Sequence, residues 1–414
     1  MGEVKMAGKK LFYFTNSYPY GFGETWKTNE LNVLVNYFDE ITILPFCYGD
    51  NKENPKKVDS RIKVAQPIFE KFAMVTKVRD LYKLLDRNFF YYLNEFVSKK
   101  VFLSKARFNS WRTFSFVTKG LLKNPIIKDI IENGNESYVL YFFWGTQGTE
   151  FLPILYKKKK LRTIVKFHRF DLYDYLFPDK YIPYRSQLLN SITIAGPSST
   201  NGYSHIMMKY PGMKCKLMVL PLGVIQKGIV SKSNDDVLRI MSCSFVYQPK
   251  RVHLIAEALM YLNIPVIWTH VGDGEMMDIL KEKVSKLPSN IKVELQGIIP
   301  TEQLMDFYFS RQIDLFINVS SSEGVPLSIM EALSCGIPVF ATDVGGTSDV
   351  VDDSVGKLLN EDFEPKELAN YLLAYYENTD EVKDSYRKRA FLRYKERCDS
   401  VKITNELGRI LIDE

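Results

Sequence analysis

Two α/β domains, each built on a doubly wound parallel sheet, are the fold class this sequence predicts. Three observations carry that prediction. Short apolar runs alternate with helical stretches between residues 11 and 210 and again between 237 and 342, the pattern of parallel strands covered by helices. Between the two series, residues 222–236 hold few large apolar side chains and include Ser231-Lys232-Ser233-Asn234-Asp235-Asp236, which reads as a linker. The chain has 414 residues, 46% of them apolar and 25% charged, enough material for two separate cores. That composition excludes a disordered, collagen-like or coiled-coil chain.

The elements follow in order. Residues 11–15 form a short apolar strand, and residues 18–25, with Gly21 and Gly23, form a loop. Leu31, Leu34, Val35 and Phe38 then recur at helical spacing before a strand at 41–45. Residues 75–130 read mostly as helices, and strands follow at 138–143, 163–167 and 191–195. In the second series, strands at 237–243, 265–271, 291–295, 313–319 and 337–342 alternate with helices at 250–262, 275–287, 302–310 and 326–335. The last 50 residues read as helices. The domain boundaries drawn from this pattern are 1–224, a linker at 225–236, 237–375, and helices at 376–414 that could cross back to the first domain.

Charge is unevenly distributed. The net formal charge is +6, yet residues 61–130 hold 15 Lys/Arg against 5 Asp/Glu, an excess of +10, together with 13 aromatic residues. Cations interleaved with aromatics suit nucleic acid or an anionic membrane surface, or they are the solvated face of ordinary helices. No nucleic-acid module signature is present, so of the two functional readings the membrane is favoured. No stretch of 18 predominantly apolar residues exists to form a transmembrane helix. After Lys9-Lys10, the apolar run Leu11-Phe12-Tyr13-Phe14 is too short for a signal-peptide core. Five scattered cysteines without a C-x-x-C pair exclude a disulfide framework and a Cys-rich zinc site, and suit a reducing cytoplasm.

Ligands of open α/β sheets bind beyond the carboxyl ends of the strands. The densest group of candidate residues there is Ser321-Ser322-Glu323-Gly324-Val325-Pro326-Leu327-Ser328-Ile329-Met330-Glu331, just after the strand 313–319. Gly324 permits close approach of backbone to ligand, Pro326 suits a helix start, and amides at that start favour an anion such as phosphate. Each carboxylate, Glu323 and Glu331, can accept from a pair of sugar hydroxyls. On spacing alone they are equally readable as a helix-entry acid and a surface acid. His168, at the end of the strand 163–167, is either a structural histidine or a site residue. His205, His253 and His270 show no metal-ligand spacing, and no D-x-D, Walker or G-x-G-x-x-G motif occurs.

Glu323 and Glu331 form E-x7-E, followed by Cys335-Gly336-Ile337-Pro338-Val339 and Ala341-Thr342-Asp343-Val344-Gly345-Gly346-Thr347. Upstream stand Val271-Gly272-Asp273-Gly274 and Leu295-Gln296-Gly297. This text resembles the retaining glycosyltransferases of family 4, which have the GT-B fold of two facing Rossmann-like domains. The resemblance is dense over residues 237–360 and thinner upstream, in Tyr18–Glu24, His168 and Leu220-Pro221-Leu222-Gly223-Val224. Trp268-Thr269-His270 and Lys250-Arg251-Val252 look most like members that build bacterial exopolysaccharides and capsules.

What the resemblance implies is specific. Glu331 would hold the ribose of a nucleotide. Glu323 with the backbone of Gly324, Val325, Pro326 and Leu327 would hold donor sugar and phosphates. Lys250 would pair with the diphosphate, a task suited to a flexible point charge. Gly23 would admit that diphosphate and His168 would lie near the donor sugar, so His168, Lys250 and Glu323 are the expected catalytic residues. Many members carry an Arg shortly before the Lys; here Phe245 stands there, so one phosphate cation is missing, and Arg251 is the candidate to replace it. The implied activity is transfer of a sugar, with retention, from a nucleotide-diphosphate sugar to a lipid-linked saccharide in bacterial surface polysaccharide synthesis. Neither cofactor nor metal is expected. The expected location is the cytoplasm, peripheral on the inner face of the plasma membrane. A weak sugar-nucleotide binder and a GT-B epimerase or phosphorylase remain open beside it.

Overall fold

The computed structural model describes residues 8–412 except 22, 23, 25, 72–76, 147 and 227, so Gly23 lies outside the described residues. The chain divides into two compact units. The first runs to Leu220 and takes in the residues from Thr404 onward; the second is Pro221–Ile403.

The first unit holds seven parallel strands: β1 Lys10–Thr15, β2 Glu40–Pro45, β3 Ile62–Val64, β4 Tyr138–Phe142, β5 Arg162–Phe167, β6 Ile194–Pro197 and β7 Lys216–Leu217. Their order is β3-β2-β1-β4-β5-β6-β7. The central strands are continuous apolar runs because both faces of a parallel sheet are covered. Phe14 of β1 stacks on Phe142 of β4 at 4.0 Å, a neighbouring-strand pair that locks the centre of the sheet.

The second unit holds six parallel strands: β8 Leu238–Cys243, β9 Val266–Val271, β10 Ile291–Leu295, β11 Leu315–Asn318, β12 Val339–Thr342 and β13 Gly356–Leu359. Their order is β10-β9-β8-β11-β12-β13. Successive residues alternate between two cores. Met241 and Phe316 pack with Ile329 and Leu333, while Ile240 and Ile317 pack with Trp268 and Leu259. Buried Trp268 satisfies its indole N–H on Ser242 Oγ at 2.9 Å. In each sheet the strand order reverses once, between β1 and β4 and between β8 and β11, and the loops leaving those strands open a crevice at the carboxyl ends.

Several elements differ from the sequence-based expectation. Strands β3, β7 and β13 are absent from it; all three are edge strands of 3, 2 and 4 residues, too short for a periodic signal. The helix expected at 250–262 begins only at His253, because Arg251 adopts a left-handed φ of 48° that ends a preceding single turn, Gln248–Lys250. Of residues 225–236, read as a linker, the stretch 230–233 is bonded into the second unit. Val230 is buried and donates to Cys335 O, Ile313 N donates to Ser231 O, and Ser233 N donates to Asp314 Oδ1. Polar composition misled there because the segment is held by backbone bonds. The terminal helices are Pro365–Tyr376, Asp380–Arg397 and Ser400–Ile412; the last starts in the second unit and belongs to the first from Thr404 on.

Candidate functional site

The second unit's switch point collects most of the residues singled out above. Lys250 leaves β8 on one loop and Glu323 leaves β11 on the other, and Lys250 Nζ reaches Glu323 Oε1 at 2.6 Å. The same oxygen accepts from Ser320 Oγ at 2.6 Å and Asn318 Nδ2 at 3.3 Å. Glu323 is therefore a nearly buried carboxylate held in one orientation, while Lys250 keeps 27% of its side chain exposed. Asn318 and Ser320 are not among the residues the sequence singles out, although a polar residue closing an apolar strand is a usable signal for them.

The loop after β12 seals this arrangement from below. Gly345 sits at φ 60°, and a Cβ there would come within 1.9 Å of the Glu323 carbonyl oxygen. Gly346 N donates to Gly324 O at 2.6 Å. Only a glycine lets the two loops approach this closely. Thr342 Oγ1 donates to Ser320 O at the same place.

The helix after the motif is Leu327–Ser334. Pro326 is its N-cap residue, one position earlier than expected, and no side chain caps it. Pro326 has no N–H, so the first amides belong to Leu327 and Ser328, at the positive end of the helix. Within the helix, Glu331 lies close to the Cys243 thiol and the Tyr308 hydroxyl, and its negative charge raises the proton affinity of both. Glu331 as a residue is only partly buried, but the burial of its carboxyl pushes it up to about 7, and no cation or hydrogen-bond donor among the described residues offsets it. An acid that is desolvated without a partner is a mark of a site built for a ligand.

Arg251, the substitute phosphate cation, is committed elsewhere. Its Nε donates to Val319 O at 2.9 Å and its Nη2 to Ser320 O at 3.3 Å, and it lies over the Phe363 ring. It holds the strand end that presents Glu323. Phe245 is exposed and stacks on Tyr247 at 5.4 Å.

In the first unit, His168 ends β5 and opens the short helix Arg169–Leu172. Its ring stacks on Phe143 at 4.7 Å and meets Trp144 edge-on. Burial first, then the Lys166 and Lys27 ammonium groups, hold it far below the usual histidine range, so it is neutral. Its Nε2 is buried with no partner among the described residues. Around it lies a network the sequence does not announce: Lys27 pairs with Glu24, which also accepts from Trp144 Nε1 at 2.7 Å and Tyr18 N at 2.9 Å. Glu24 and Lys27, three residues apart at a helix entrance, are the available signal.

Comparison with known proteins places matches on this chain. Residues 226–393 match the family described as glycosyl transferases group 1. The O-antigen biosynthesis glycosyltransferase WbnH of Escherichia coli is 33% identical over 105 residues, 25% of this chain; the chain spans 28% of that relative's length. The structure of HepE of Anabaena in complex with UDP superposes with a TM-score of 0.63 at 18% identity, covering 97% of this chain and 99% of HepE. The apo lipopolysaccharide outer core galactosyltransferase WaaB gives 0.64 at 13% identity, covering 97% and 99%. These likenesses establish the fold as GT-B, two Rossmann-like parallel-sheet units. Residues 226–393, which carry Lys250, Glu323 and Glu331, are a domain of the glycosyl transferases group 1 family.

Proposed function

We propose that this protein is a retaining, metal-independent glycosyltransferase that moves a sugar from a nucleotide-diphosphate donor to a lipid-linked saccharide in bacterial surface polysaccharide synthesis. The observation that carries the reading is Glu331, a desolvated carboxyl without a cation, one helix away from the anchored Lys250–Glu323 pair on a group 1 domain. Glu331 accepts both ribose hydroxyls of the nucleotide. Lys250 and the amides of Gly324, Val325 and Leu327 take the diphosphate, and Glu323, held by Ser320 and Asn318, orients the donor sugar.

The bond from the anomeric carbon to the phosphate oxygen breaks as the acceptor oxygen attacks the same face. The acceptor's proton passes to the departing phosphate, whose charge Lys250 and the helix amides stabilise. No protein nucleophile is needed. HepE, of the same fold, was crystallised with UDP, which supports a nucleotide-sugar donor here. The likeness to WbnH, an O-antigen biosynthesis glycosyltransferase, supports a saccharide acceptor. A lipid-linked acceptor places the enzyme on the anionic inner face of the plasma membrane, in line with the +10 excess at residues 61–130.

Exposed Phe245, where a second phosphate cation was expected, favours one competing reading, a sugar-nucleotide binder with little turnover. Incubation with UDP-, GDP- and ADP-sugars followed by mass analysis decides between them. Release of nucleoside diphosphate that persists in EDTA supports the proposal. Saturable binding with no turnover on any donor sinks it in favour of the binder, and loss of turnover in EDTA with rescue by magnesium removes the metal-independent route.

A further inference from the structure

The described chain has 25 large apolar side chains exposed to solvent, and eight of them fall between Val78 and Leu103. That concentration is several times what an even spread would give, and surface apolar residues scattered singly are the ordinary case. The helix Phe89–Ser98 shows how it arises. Tyr91, Tyr92 and Glu95 are buried against the first unit's core, as on any surface helix. On the opposite face Phe90, Leu93 and Val97 recur at helical spacing, and Phe90 is 79% exposed. A helix apolar on both faces has a second apolar medium to meet.

The charge around this face is mostly positive. Within residues 77–105 Lys77, Arg79, Arg87, Lys100 and Lys105 are exposed, Glu95 is buried, and Asp80 and Asp86 are paired with Lys83 and Lys119. Beside the helix lies an open apolar groove of about 360 Å³ lined by Leu81, Tyr82, Leu85, Phe89, Phe96 and Trp111. It is more than twice the ~150 Å³ of cavities that stay dry and admit small hydrocarbons. Cations flank it on two sides: Lys83 lies over the Tyr82 ring at 5.8 Å and Arg112 over the Phe108 ring at 5.7 Å.

We propose that residues 78–103 are a membrane-insertion surface: the Phe90-Leu93-Val97 stripe enters the headgroup boundary of an anionic bilayer, the surrounding cations pair with lipid phosphates, and one acyl chain occupies the Trp111 groove. Charge complementarity selects the occupant, since an apolar face bordered mainly by cations, with the exposed Asp179 beside Ser104 at its edge, matches an anionic lipid surface. The inference deepens the membrane reading above and adds to it insertion and an acyl-chain site, which electrostatic attachment does not require.

The test uses the full chain with vesicles of phosphatidylglycerol, of phosphatidylcholine, and of phosphatidylglycerol brominated in the acyl chains. The expected result is binding to the anionic vesicles alone. Phe90→Ser/Leu93→Ser/Val97→Ser, which leaves every charge in place, should weaken that binding by about tenfold or more. Brominated chains should quench tryptophan emission, and Trp111→Phe should remove most of the quenching although Trp26, Trp144 and Trp268 remain. Unchanged thermal melting checks that the variants fold. Binding to anionic vesicles that the triple variant retains in full, with quenching unaltered in Trp111→Phe, overturns insertion and leaves simple electrostatic attachment. Absence of binding to any vesicle overturns both this inference and the membrane reading.

Discussion

Each unit places a Lys–Glu pair at the switch point of its sheet, and the two pairs are opposites. In the first unit Lys27 has no exposed side-chain surface; it is paired with Glu24 and lies over Phe143 at 4.2 Å and Trp144 at 5.6 Å. Glu24, at a strained φ of 61°, spends its oxygens on Lys27, Trp144 and backbone amides. Trp144 comes from the loop after β4, so the network ties the two switch-point loops together. In the second unit Lys250 remains partly open, and the Glu323 oxygen that meets it is oriented by Ser320 and Asn318. A sealed pair whose carboxylate is bonded on both oxygens holds a loop in place, whereas an accessible cation on an anchored carboxylate is ready to exchange partners with a phosphate. The same residue types at equivalent points of two similar sheets thus serve different ends, and access of solvent makes the difference.

The contrast can be broken at its sealed end first. Replacing Lys27 by Met strands a buried Glu24, and chemical denaturation should show a loss of about 3–5 kcal/mol. A variant within about 1 kcal/mol of the parent would mean that the first pair is not structural. At the open end, Lys250→Ala should cost turnover about 10²–10³-fold, the range for removing one transition-state donor, while the loss of stability stays below that at Lys27, because water can replace the partly exposed ammonium beside Glu323. Stability and turnover falling together would erase the distinction between the pairs.

Glu331 sharpens the comparison, because it is a third carboxyl with no cation beside it among the described residues. Glu331→Ala should weaken nucleotide binding by about 1.5–3 kcal/mol in calorimetry, the worth of hydrogen bonds to a charged group. The smallest effect is on pH dependence. The folded value of about 7 lies above the ordinary 4.5, so the protonated form favours the fold. That contribution is complete below about pH 4.5 and is lost as pH rises through 7. Glu331→Gln, which cannot ionise, should therefore be more stable than the parent above pH 7 by roughly 1–3 kcal/mol, and equal to it in mild acid. Nucleotide affinity of the parent should rise across the same range as the carboxylate forms. A stability difference independent of pH would show that Glu331 is not titrating there.

Much of the architecture is legible in the amino-acid sequence itself, and the reason is local. Fully buried parallel strands leave continuous apolar runs, and helix entrances leave Gly, Pro and acidic residues in fixed order, so the two doubly wound units and the Glu323–Glu331 motif are readable from neighbours in the chain. Only the tertiary structure decided what is made by distant parts. Lys250 and Glu323 meet across 73 residues, Arg251 turns from the expected phosphate contact to the carbonyls of Val319 and Ser320, and residues 230–233 are pinned by the backbone of Ile313 and Cys335 and by the Asp314 carboxylate. The edge strands exist because a longer neighbour offers them a template. Burial decided the rest: no pattern of letters says that Lys27 is sealed, that Glu331 is desolvated without a partner, or that the Phe90 stripe faces outward, because each depends on which surfaces the folded chain covers.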